Sequence, residues 1–101
     1  MLWNGVVTVS IILNKSGRLC VLPSVAQTGV SDGASASNFI AAATLALEEA
    51  IEALGKTARH QDNSVEEVAS QAVRRAARSM FGLRPIVQVH IMRVSEEDLH
   101  V

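Results

Sequence analysis

The sequence predicts an α+β domain, a two-layer sandwich in which two helices cover one face of a three-stranded sheet. The expected order is strand, strand, helix, helix, strand. Three observations predict it. Residues 5–13 and 85–92 are rich in β-branched types and carry apolar side chains at every second position, as strands do. Residues 38–54 and 64–81 instead repeat their apolar side chains every three or four positions, the spacing of helices that bury one side. With 101 residues, 49% of them apolar and 19% charged, the chain has the size of one domain and enough apolar groups to close a core.

The first strand places Val7, Val9, Ile11 and Leu13 on a dry face and Val6, Thr8, Ser10 and Ile12 on a mixed one. It is the most apolar strand and lacks proline, so it should be central. Asn14-Lys15-Ser16-Gly17 reads as a turn in which Gly17 takes positive φ at little cost. A second strand is expected over residues 18–27, with Leu19, Val21 and Val25 on one side. Pro23 cannot donate to a ladder and puts this strand at a sheet edge. Residues 28–37 read as a loop, with Ser35 or Ser37 capping the next helix.

That helix is expected over residues 38–54. Ile40, Ala43, Leu47, Ile51 and Leu54 fall on one side, Glu48, Glu49 and Glu52 on the other, and Gly55 ends it. A polar connector follows, in which His60 should face solvent. Ser64-Val65-Glu66-Glu67 reads as a capping box opening the second helix. Its apolar stripe is Val65, Val68, Ala69, Ala72, Val73, Ala76 and Met80, and Gly82 is its stop. After Pro85, a last strand alternates Val87, Val89 and Ile91 with Gln88, His90 and Met92. Residues 1–4 are expected to be the end of a connector, 5–94 a single domain, and 95–101 a flexible acidic tail.

Composition removes several function classes. Nine Lys plus Arg against ten Asp plus Glu give a net charge of −1, unlike a dedicated basic nucleic-acid-binding domain. Trp3, Phe39 and Phe81 are the only aromatic residues, too few for a platform that stacks bases. No apolar run approaches the roughly 20 residues a membrane helix needs, and no signal peptide opens the chain. A lone Cys20 forms no internal disulfide. These features predict a cytoplasmic domain without membrane partners.

Candidate chemistry is sparse. Gly55-Lys56-Thr57 has the ending of a phosphate-binding loop, but Ala50 stands where the earlier glycine is required and a helix, not a strand, precedes it. His60, His90 and His100 have no His or Cys within five positions, so no metal site is expected. Cys20 has no basic partner nearby except Arg18, and no Gly-x-Ser-x-Gly elbow occurs. The sequence therefore predicts no catalytic residue, no cofactor site and no metal in this chain. Two surfaces remain. Nothing obviously covers the sheet face bearing Thr8, Ser10, Gln88 and His90, which makes it a candidate interface. Arg74, Arg75 and Arg78, with Arg84 just beyond, form a basic patch suited to phosphate or RNA contact.

Two families are resembled. The strand–helix–helix–strand order resembles a KH RNA-binding core, whose Gly-x-x-Gly clamp would fall at Gly55-Lys56-Thr57-Ala58 and is incomplete there. Over residues 4–94 the chain more closely resembles the C-terminal domain of ribonuclease J, of the α-proteobacterial type. The residues that carry this are Gly5-Val6-Val7-Thr8-Val9-Ser10, Ile12-Leu13-Asn14-Lys15-Ser16-Gly17-Arg18-Leu19, Val73-Arg74-Arg75-Ala76-Ala77-Arg78, and Arg84-Pro85-Ile86-Val87-Gln88-Val89-His90. The resemblance implies a non-catalytic accessory domain that supports oligomer assembly and activity on RNA. It further implies upstream metallo-β-lactamase and β-CASP domains holding the catalytic zinc. No His-x-His-x-Asp-His occurs here, so no catalytic or metal residue of that family carries over.

Overall fold

The β-branched run predicted as the central strand becomes β1, Val6–Leu13, in a computed structural model that describes residues 5–95. The other elements are β2 (Ser24–Thr28), α1 (Gly33–Glu52), a 3-10 turn (Ala58–His60), α2 (Asp62–Phe81) and β3 (Ile86–Arg93). The sheet order is β2-β1-β3. β2 runs antiparallel to β1, with Val9 opposite Val25, and β3 runs parallel to it, with Val9 opposite Val89. The α+β class and the central position of the first strand are as predicted. The terminal connector and the acidic tail lie outside the described residues, apart from Ser95.

Period-two patterning decides which face is dry. Val7, Val9, Ile11 and Leu13 are fully buried, and they meet Phe39, Ala43, Leu47 and Ile51 of α1 and Val65, Ala69, Val73 and Ala77 of α2. α1 packs over the β2 side and α2 over the β3 side, while the two helices pack on each other through alanines. Phe39 and Phe81 close the far end of this layer with ring centroids 5.9 Å apart and planes tilted by 51°.

Several local expectations are corrected. The second strand does not span 18–27. After the turn, Leu13 and Leu19 form an isolated bridge, and regular pairing resumes only from Ser24. Between these points β1 contributes Ile11 and Ile12 while the return strand contributes residues 20–23. Pro23, lacking an N–H, sits in this bulge, and Val21 and Leu22 are pushed into solvent instead of joining the core.

α1 begins five residues earlier than its apolar stripe suggested, so Ser35 and Ser37 lie inside the helix, and its N-cap is Asp32. Gln27 shapes the short loop instead: its Oε1 accepts from the amides of Val30 and Ser31, and its Nε2 donates to the Ser31 carbonyl. α2 likewise starts before the capping box. Its N-cap is Gln61, and the Ser64 hydroxyl donates to Gln61 Oε1 rather than capping a turn with Glu67. Met80 is exposed and Ala77 takes its expected place in the core. Gly82 does end α2, in the left-handed conformation at φ 67°.

Candidate functional site

The uncovered side of the sheet is built from the even residues of β1. Register sets Thr8 beside Gln88 and Ser10 beside His90, so the candidate interface residues form one adjoining polar group. Ser10, Gln88 and His90 are exposed and Thr8 is half-buried. Apolar pairs bracket this centre, Val6 beside Ile86 at one end and Ile12 beside Met92 at the other. On the β2 side, Ala26 and Ser24 adjoin Thr8 and Ser10. No helix lies over this face among the described residues. Met92, 59% exposed, is its largest open apolar side chain.

The face continues into an open edge. The Ile86 amide donates to the Gly5 carbonyl and the Val94 amide to the Leu13 carbonyl, so the even residues of β3 bond inward to β1. The backbone N–H and C=O groups of Val87, Val89 and Ile91 therefore point away from β1, where no described strand pairs with them.

Arg74, Arg75 and Arg78 are all exposed on α2, on the helix layer and hence the opposite side of the molecule from the sheet face. Arg74 and Arg78 stand one turn apart. Arg75 instead lines a shallow groove between the helices with Glu49, Ala46, Ala50 and Ser79. The structure does not bring this patch together with Thr8, Ser10, Gln88 or His90.

A third region was not anticipated. The β1–β2 turn is fixed by Asn14, whose Oδ1 accepts from the Ser16 and Arg18 amides. Against it packs the connector between the helices. Arg59 donates through Nε to the Leu54 carbonyl and through Nη2 to that of Glu52, tying down the end of α1. His60, expected to be merely solvated, bridges the two segments: Nδ1 lies 2.9 Å from the Lys56 carbonyl and Nε2 lies 3.0 Å from that of Lys15. Arg93 adds an ion pair to Asp62 at 2.8 Å and a bond to the Arg59 carbonyl. At Gly17, φ is 78° and a Cβ would come within 2.6 Å of Arg59 Cβ, so only glycine permits this contact. Lys15, Ser16, Arg18, Lys56, Arg59 and His60 line one open cleft here. Residues 15–18 and 56–60 are far apart in sequence, and no local motif announces their meeting.

No group of three His, Cys, Asp or Glu side chains among the described residues is placed to hold a metal, so this donor set does not fit a zinc site. No helix of the described residues is long and apolar enough to cross a membrane.

A match to the ribonuclease J C-terminal domain family runs over residues 1–94. The chain belongs to that family. The sheet, the helix pair and the candidate surfaces all fall within the matched span. A comparison with curated proteins finds no match. Membership in this family agrees with the resemblance read from the first strand, the Arg-rich stretch of α2 and the closing strand.

Proposed function

We propose that this chain is a non-catalytic accessory domain of a ribonuclease J-like RNA-processing enzyme, and that its uncovered sheet face and β3 edge join copies of that enzyme into an oligomer. The observation that carries the reading is the join of two unsatisfied surfaces. A polar centre of Thr8, Ser10, Gln88 and His90, bracketed by apolar pairs, borders an edge whose backbone groups at Val87, Val89 and Ile91 have no strand to bond among the described residues. A second copy would satisfy both at once. Catalytic chemistry, including zinc, belongs in this proposal to metallo-β-lactamase and β-CASP domains outside these residues, and the setting is cytoplasmic. The α-proteobacterial subtype rests on the sequence resemblance alone.

Light scattering over a concentration series tests the assembly role, on this chain and on the parent enzyme. The expected result is a mass that rises above the 10.8 kDa of one chain and falls back in a Ser10→Lys, His90→Glu variant. A strict monomer at high concentration for both proteins would sink it.

The alternative is a small RNA-binding module using the Arg74, Arg75 and Arg78 patch, favoured by the exposure of all three residues on α2. It requires RNA affinity that falls steeply with salt and is lost when the three become alanine.

A further inference from the structure

The cleft between the β1–β2 turn and the connector concentrates charge in a chain whose net charge is only −1. Lys15, Arg18, Lys56 and Arg59 line it, together with His60 and Ser16, in a space of about 420 Å³. Every lining side chain is polar, and no carboxylate is among them. Glu52 lines an adjoining cleft with Arg18 and Arg59, and Asp62 lines another with His60 and Arg93. Among the described residues no carboxylate pairs with any of the four cations, whereas Arg93 close by is already paired with Asp62.

The walls are also held in place. His60 spans the carbonyls of Lys15 and Lys56, and Arg59 is bound to the carbonyls of Glu52 and Leu54. Gly17 packs directly against Arg59, which brings the turn and the connector into contact. With the Arg59 guanidinium engaged by those carbonyls, Lys15, Arg18 and Lys56 remain as exposed cations on one cleft, with no carboxylate paired to them among the described residues, and together they favour a bound anion.

We propose that this cleft grips the phosphate groups of a single-stranded RNA backbone, without reading its bases. The chemistry fits a phosphate backbone, and the choice of RNA rests on the function proposed above. Lysine and arginine donors suit phosphate oxygens, and the hydroxyl of Ser16 adds a neutral donor. With no aromatic ring in the cleft there is no surface for stacking a base, and with no apolar side chain there is no pocket for the anchor residues of an acidic peptide. The inference extends the accessory role proposed above but does not depend on the sheet-face interface, which is built from other residues.

Fluorescence anisotropy with a labelled oligouridylate tests it, titrated against salt. Binding to the chain should weaken with salt, with a log–log slope near −0.7 for each phosphate engaged. A Lys15→Gln, Arg18→Gln, Lys56→Gln variant should bind at least tenfold more weakly, with a shallower slope. These side chains make no hydrogen bond that holds the fold, so circular dichroism and light scattering of the variant should match the parent chain. An Arg74→Gln, Arg75→Gln, Arg78→Gln variant should bind as the parent does. The proposal is overturned by any of four results: no binding at low salt, equal binding by the cleft variant, loss of binding in the α2 variant alone, or equal competition by polyglutamate of matched charge.

Discussion

The two faces of β1 have the same backbone and nearly the same β-branched composition, yet they meet different fates. On one, Val7, Val9, Ile11 and Leu13 are sealed from water by both helices. On the other, Val6, Thr8 and Ile12 stay half-open and Ser10 is exposed. The dry face fixes the register, because a slip by one residue would exchange the two sets. The open face is thereby freed from any duty to the fold, and its side chains are available for contacts with another molecule.

Ile11 and Ile12 separate the two faces most clearly, being the same side chain on opposite sides of one strand. Ile11→Ala should destabilise the chain by about 2–5 kcal/mol, through lost burial and a cavity that the packed helices cannot fill. Ile12→Ala should cost about 1 kcal/mol in dilute solution, since part of that surface already touches water. Urea denaturation of both variants checks the pair, and equal losses would mean that the open face is covered. An effect between those two is expected at the start of the strand. Gly5 has φ 87°, and an added Cβ would lie 2.5 Å from the Thr28 carbonyl oxygen. Gly5→Ala should therefore cost more than about 1 kcal/mol, read as a lowered denaturation midpoint with an unchanged slope. The smallest change belongs to Ser10→Lys. Its unfolding free energy should stay within about 0.5 kcal/mol of the parent while its self-association is lost. A large loss of stability there would tie the open face to the fold after all.

The same contrast explains what was legible in the sequence. Long-range pattern was readable: the period of two in β1 and β3 and the helical stripes of α1 and α2 yielded the layers and the dry face. Boundaries are less so, because competing local signals are decided by partners that lie elsewhere in the chain. Ser64 and Glu67 have the spacing of a capping box, yet Gln61 caps α2 and turns the Ser64 hydroxyl toward itself. Ser35 and Ser37 are good caps in isolation, but the loop is closed earlier by Gln27, so the helix starts at Gly33. The polar group on the open face was legible because strand alternation places Thr8, Ser10, Gln88 and His90 on one side. The basic cleft was not, since Lys15 and Arg18 meet Lys56 and Arg59 only through tertiary packing across some forty residues, signalled locally by nothing more than a glycine at position 17.

Amide hydrogen exchange at low and high chain concentration shows whether the open sheet face and the β3 edge are an assembly surface. The amides of Val87, Val89 and Ile91 point outward from β3 and should exchange rapidly in dilute solution. They are expected to become protected as concentration rises, while amides in the Lys56–His60 connector keep their rates. Exchange at Val87, Val89 and Ile91 that is indifferent to concentration, in this chain and in the parent enzyme alike, would contradict an assembly role.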